Sequence, residues 1–176
     1  MDVLYRDASL LVVNKPSGLL THRGWANDRD NALVRARGLA GGYVYPVHRL
    51  DRATSGVLVF ALTREAAAAL GRQLDGGGFE KRYVALVRGV IEPVVEIDHP
   101  LAALEEGGSE VRKPARTSVR RLGVFERYSL VEATPHTGRS HQLRRHLVAG
   151  FEGVHHRLEA IRDIAGSQAV RASRAL

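Results

Sequence analysis

An α+β fold is predicted by three features of the chain. Apolar runs of strand length recur between glycine, proline and aspartate punctuation, and one alanine-rich amphipathic stretch has helix length. A composition of 44% apolar and 26% charged residues over 176 positions suits one globular domain able to bury a core. Leu10-Leu11-Val12-Val13-Asn14 is a short buried-strand candidate, stopped by Lys15-Pro16-Ser17-Gly18. Val44 to Val47 and Val57 to Leu62 read as strands on either side of a polar segment, which places that segment on a loop at strand ends. Arg64 to Asp75 is the amphipathic helix, closed by Gly76-Gly77-Gly78. Tyr83, Ala85 and Val87 alternate and would share one face of a strand. Two further strands are predicted at Ala115 to Leu122 and Ser129 to Thr134, with Glu105 to Ser109 as a solvated loop tip. A helix should open after Pro135 with Ser140 as its N-cap, bury Leu143 and Leu147, and close near Gly150.

Cysteine is absent, which excludes disulfides, thiolate metal sites and a cysteine nucleophile, and fits a reducing compartment. The start, Met1-Asp2-Val3-Leu4-Tyr5-Arg6-Asp7, has acids where a signal peptide wants a basic and then an apolar stretch. No apolar run approaches membrane-spanning length, so a cytoplasmic protein without membrane partners is expected. Net charge is +7 with a pI near 10.3. Residues 151–176 carry four arginines against Glu152, Glu159 and Asp163, so nearly all of the excess lies on residues 1–150. A basic folded body fits a nucleic-acid surface, with general arginine enrichment as the bland alternative.

Within that basic body, Asp51 stands in the run His48-Arg49-Leu50-Asp51-Arg52-Ala53-Thr54-Ser55-Gly56. A surface that holds a polyanion normally excludes acids, so a carboxylate between two arginines points to an ionised group that does chemistry on the polyanion. On these nine residues alone, a turn with a local ion pair reads equally well. A second segment, Thr137-Gly138-Arg139-Ser140-His141-Gln142-Leu143-Arg144-Arg145-His146-Leu147, puts His141 and Arg144 three apart, on one helix face. His141 and His146 are five apart and lack a nearby carboxylate, so no metal site is expected. The glycines at Gly38, Gly41-Gly42 and Gly76 to Gly78 do not have the spacing of phosphate-loop or dinucleotide fingerprints.

Asn14-Lys15-Pro16-Ser17-Gly18, the Arg49-Leu50-Asp51 run, Lys81-Arg82-Tyr83-Val84-Ala85 and Thr137 to Arg144 resemble, in content, order and approximate spacing, the RluA-type pseudouridine synthases. The resemblance covers residues 1 to about 150 and implies a bent, mainly antiparallel mixed sheet with flanking helices. Thr21-His22-Arg23-Gly24-Trp25 and Arg144-Arg145-His146 look most like the branch of the family that modifies tRNA. The partner implied is tRNA or other structured RNA, and no cofactor or metal is implied. Asp51 matches the family's essential aspartate, the nucleophile or ionised catalyst that cleaves the bond between uracil N1 and ribose. Arg144 matches the arginine that pairs with it, and Tyr83 the tyrosine that lies against the uracil ring. Arg49 matches the arginine that fills the gap left by the flipped nucleotide. Lys15, His48, Arg52, Arg139 and His141 are expected as further RNA contacts.

These roles agree with the chemistry. Uridine and pseudouridine have the same atoms, so the base detaches, turns and reattaches through C5 with no redox step. A stacked base hides its glycosidic bond and must be flipped out, at a cost of a few kcal/mol that an inserted arginine partly offsets.

The resemblance stops after Gly150. The family's Gly-His-Pro, hydrophobic, Gly-Asp stretch and its later Leu-His-Ala strand have no counterpart here. Val154, Leu158, Ile161 and Ala165 instead describe an amphipathic helix ending at Gly166, followed by a frayed end. A truncated or frame-altered terminus, a divergent cap and a neighbour that supplies the cover are the three explanations, the first being favoured. A missing strand would leave a sheet edge open to self-association. The alternatives to a tRNA pseudouridine synthase are an RNA-binding protein without turnover and a ribosomal RNA pseudouridine synthase.

Overall fold

The computed structural model describes residues 1–23, 29–105, 108–150 and 157–159, with residues 149–150 and 157–159 described by their backbone alone. The chain divides into two compact units, Met1–Phe79 with Glu159–Leu176, and Glu80–Leu158.

The first unit holds β1 (Asp2–Arg6), β2 (Leu10–Lys15), α1 (Ala32–Ala40), β3 (Tyr45–Pro46), β4 (Gly56–Ala61) and α2 (Arg64–Asp75). Its strands lie in the order β1-β2-β4-β3, and each neighbouring pair is antiparallel. The unbroken apolar run of β2 is explained by its interior position: Leu10, Leu11, Val12 and Val13 are buried, so neither face needs polar residues. Leu10, Val12, Val59 and Ala61 pack with Ala66 and Leu70 of α2. Thr63 caps α2 by accepting from the Ala66 N–H at 3.1 Å, and the helix has the predicted bounds. Only Tyr45–Pro46 of the predicted 44–47 strand pairs, because the chain then turns into the His48 loop.

The first helix escaped the sequence reading. Its run Ala-Leu-Val-Arg-Ala-Arg-Gly-Leu-Ala buries only Ala32 and Ala36, too narrow a stripe to produce a strong apolar period. Its end signals were available: Asn31 accepts from the Val34 N–H at 3.1 Å, and Gly41 closes the helix at φ 75°.

The second unit holds β5 (Tyr83–Arg88), β6 (Val94–Asp98), β7 (Leu101–Leu104), β8 (Glu110–Lys113), β9 (Arg116–Phe125), β10 (Tyr128–Pro135), α3 (Gln142–Gly150) and, as far as Leu158, β11 (Arg157–Glu159). Five strands lie in the order β11-β5-β10-β9-β6, and β7 and β8 form a separate hairpin around the predicted loop tip. The pairs of β5 with β10, β10 with β9 and β9 with β6 are antiparallel. Ala85, Val87, Val119, Val131 and Ala133 form the buried face with Leu143 and Leu147 of α3, and Tyr83 packs against them as its alternation predicts.

Two local expectations are corrected. The helix of the second segment begins at Gln142, and the Arg145 N–H bonds the His141 carbonyl, so His141 rather than Ser140 occupies the capping position. Residues 157–159, inside the expected C-terminal helix, form a short strand beside β5, because the outer edge of β5 offers backbone groups that a strand can satisfy. The remainder of that expected helix lies outside the described residues.

A buried polar network seats α3 on β9. The Gln142 side chain donates to the Arg116 carbonyl at 2.9 Å and to Thr117 Oγ1 at 3.0 Å, and accepts from the Thr137 hydroxyl at 2.7 Å and the Arg139 N–H at 3.0 Å. The Thr117 hydroxyl then donates to His146 Nδ1 at 2.9 Å, and His146 Nε2–H donates to the His99 carbonyl at 3.0 Å. A neutral His146 serves these two bonds as acceptor and donor, and burial favours that form by holding its pKa below the ordinary histidine value, against the pull of the His99 carbonyl.

Thr117→Val strands Gln142 and His146 without a shared partner and should lower stability by about 1–3 kcal/mol, read as a urea midpoint shift at constant slope. Because the folded pKa of His146 is depressed, the unfolded chain binds more protons as pH falls below about 6.5, so stability present above that pH is lost on acidification. Urea midpoints at pH 7.5 and 5.5 should differ less in His146→Gln than in the parent protein.

Candidate active site

The loop that follows β3 carries Asp51, and its backbone is fixed carbonyl by carbonyl. The Thr21 hydroxyl donates to the Leu50 carbonyl at 2.7 Å and accepts from the Leu50 N–H at 3.0 Å. The Asp51 carbonyl accepts from the Thr54 N–H at 3.0 Å, and the Arg52 carbonyl from the Gly18 N–H at 2.8 Å. The Ser17 hydroxyl donates to the Ala53 carbonyl at 2.8 Å. Four consecutive carbonyls are therefore satisfied, and Leu50 is buried as an apolar anchor between exposed Arg49 and half-buried Asp51. Gly18 sits at φ 86°, a left-handed conformation that glycine adopts without strain, and this turns the Ser17–Gly18 corner toward the loop.

Lys15 is the end residue of β2, and its side chain is fully buried. Its ammonium donates to the carbonyls of Leu19 at 2.7 Å, Pro16 at 3.0 Å and Arg52 at 3.3 Å. Desolvation lowers its pKa to about 8, against the attraction of the Asp51 charge. The expectation that Lys15 touches RNA is thereby corrected: the ammonium is spent on carbonyls inside the protein, and its charge acts on Asp51 from within. His48 is also partly reassigned. Its ring is half-buried, and Nε2 accepts from the Val59 N–H at 3.1 Å, which fastens the loop to β4 where β3 has ended. Arg49 and Arg52 are exposed.

In the second unit, Tyr83 is half-buried at the start of β5, paired with Ala133 of β10. Arg139 is exposed, and its Nε donates to the Pro114 carbonyl at 3.0 Å. His141 stands at φ 52°, a left-handed backbone that is uncommon outside glycine and asparagine and that occurs where surrounding structure dictates it. It lines a cleft of about 600 Å³ with Arg112, Arg144 and Arg145, beside Leu101 and Val148. Arg145 also donates to the Ala102 carbonyl at 2.8 Å, which ties α3 to β7. Of Arg144-Arg145-His146, only Arg144 is exposed, and His146 belongs to the interior.

Lys15, His48, Arg49, Asp51 and Arg52 thus belong to one loop and its support in the first unit, and Tyr83, Arg139, His141 and Arg144 to the second. Ser17, Gly18, Gln142 and Thr117 were not singled out as site residues from the sequence. A hydroxyl or amide that holds a distant carbonyl leaves no period or spacing to read. Among the described residues, no group of three histidines, aspartates or glutamates is placed to hold a metal, and no helix is long and apolar enough to cross a membrane.

Comparison with known proteins adds a family to this geometry. The profile of the RNA pseudouridylate synthase family matches residues 9–149. The chain is 41% identical to the tRNA pseudouridine synthase C of Haemophilus ducreyi, over 88% of this chain and 71% of that one. It is 39% identical to the tRNA pseudouridine synthase C of Pasteurella multocida, over 88% and 72%. Among solved structures it is similar to human RNA pseudouridylate synthase domain containing 1, with a TM-score of 0.71 and 30% identity over 90% of this chain and 76% of that one. Human RNA pseudouridylate synthase domain containing 4 gives a TM-score of 0.71 at 28% identity, over 89% and 66%. With a matching profile over most of its length and relatives of this identity, the chain belongs to the RNA pseudouridylate synthase family.

Proposed function

We propose that this chain isomerises a uridine of tRNA to pseudouridine, with Asp51 as the catalytic carboxylate. The observation that carries the reading is the bracing of carbonyls 50–53, which fixes the backbone of a loop whose arginines are exposed while Asp51 stays half-buried. A carboxylate that must meet one carbon of one flipped nucleotide benefits from such a support, since misplacement by an ångström is costly in rate. The relatives named tRNA pseudouridine synthase C support tRNA as the substrate class.

In this reading Asp51 acts on the uridine as the N1 bond to ribose breaks. The released uracil turns and bonds through C5, which loses its proton while N1 gains one, so atoms and electrons balance without a cofactor. Tyr83 offers a ring for the loose base, and Arg144 supplies a cation that offsets the carboxylate charge. Arg49 takes the place of the flipped nucleotide. Arg52, Arg139 and His141 contribute to the hold on the RNA, and the basic cleft beside α3 adds charge for its phosphates.

Asp51→Ala should abolish tritium release from C5-labelled tRNA while leaving tRNA affinity within about threefold, as a single carboxylate contributes little to phosphate contact. Near-parental turnover would refute the assignment. Lys15→Met should give the opposite pattern: stability falls by about 2–4 kcal/mol because three carbonyls lose a donor, while measurable turnover survives. Arg144→Ala should lower turnover at least 100-fold, and full activity in that variant would remove it from the mechanism. Mapping pseudouridine in unmodified tRNA and ribosomal RNA after incubation with the chain should find the product in tRNA.

A further inference from the structure

A second basic cleft, in the first unit, lies against the support of the Asp51 loop. It has a volume of about 480 Å³ and is lined by Ser17, Gly18, Arg29, Asp30, Arg35 and Arg52 among others. Three arginines against one acid leave the lining positive. Asp30 is committed to Arg35, accepting from its Nε at 2.8 Å in a forked ion pair that fixes where that guanidinium lies. Arg29, Arg35 and Arg52 come from two chain segments about twenty residues apart, and all are exposed at the cleft.

The N-terminus of α1 is close by but is already satisfied. The Ala32 N–H bonds the Leu20 carbonyl at 2.8 Å, the Leu33 N–H bonds the Thr21 carbonyl at 3.0 Å, and the Val34 N–H bonds Asn31. An anion in the cleft must therefore be held by guanidinium groups. These are the side chains that match a phosphodiester in charge and donor geometry.

We infer that this cleft is a phosphodiester subsite for the RNA, held by Arg29 and Arg35 together with Arg52, and distinct from the cleft beside α3. The inference rests on the reading that the chain acts on RNA. Its position gives it a particular use. Ser17 and Gly18 line the cleft and also hold the carbonyls of Ala53 and Arg52, so a phosphate seated there registers the RNA backbone directly against the support of Asp51.

The test is the salt dependence of tRNA affinity, with unmodified tRNA as the probe, in the full chain and its Arg29→Gln, Arg29→Lys, Arg35→Gln and Arg64→Gln variants. Arg64 opens α2, is exposed and does not line the cleft, so Arg64→Gln reports the effect of lost charge alone. Arg29→Gln and Arg35→Gln should each weaken binding about three- to tenfold at 0.15 M salt and reduce the slope of log K against log salt by about 0.7–0.9, one phosphate contact apiece. Arg29→Lys should keep most of the slope, and the loss in turnover should be carried by KM. Unchanged slopes in the two glutamine variants would overturn the subsite, as would an equal loss in Arg64→Gln. If the parent chain forms pseudouridine while these slopes do not move, the subsite fails and the proposed activity stands; if the parent forms none, that activity fails.

Discussion

The structure of the site depends on how a polar loop between β3 and β4 is kept from wandering. Loops expose backbone carbonyls to water and pay for mobility in precision, whereas here the carbonyls of Leu50, Asp51, Arg52 and Ala53 are all bonded. Four of the donors come from one stretch, Lys15 to Thr21, at the exit of a buried central strand. The strand is rigid because it is apolar on both faces, and it passes that rigidity to the loop through hydroxyls, one amide and one ammonium. Lys15 has two effects at once, since the group that holds the Arg52 carbonyl also sets a positive charge behind Asp51.

The second unit solves a similar problem with different chemistry. Its helix α3 must be both anchored and available, and the two demands are divided by face. Gln142, Leu143, His146 and Leu147 point inward, where Thr117 links the amide to the imidazole. Arg144 and Val148 point outward, and Arg145 bridges to β7. A fully satisfied polar network specifies one seating of the helix, because any slip would leave several buried groups unpaired.

Much of the fold was legible because its signals are periodic. The run of β2, the alternation of β5 and the capped stripe of α2 are statements about which faces are buried, and the structure agrees with them closely. β1 and α1 were missed for the corresponding reason: the edge strand leaves Val3 and Leu4 exposed, and α1 buries only two alanines. Functional residues were legible by type and less so by role. Asp51 stood out as an acid in basic surroundings, but Lys15 and Lys81 look alike in the sequence. Nothing in Asn14-Lys15-Pro16 says that one ammonium turns inward toward three carbonyls. His48 and His146 show the same limit, because a histidine that holds a backbone group and one that faces RNA have the same letter. The strand at Arg157–Glu159 was unreadable because its one apolar residue, Leu158, also fits a helix, and the open side of β5 decides between the two.

The Asp51 loop is braced before RNA arrives. Amide hydrogen exchange at Gly18 and Thr54, whose N–H groups hold the Arg52 and Asp51 carbonyls, measures it directly. Both amides should be strongly protected in the RNA-free protein, with little change when tRNA is added. Rapid exchange in the free protein that slows only with tRNA would contradict it, and would mean that the RNA builds the loop.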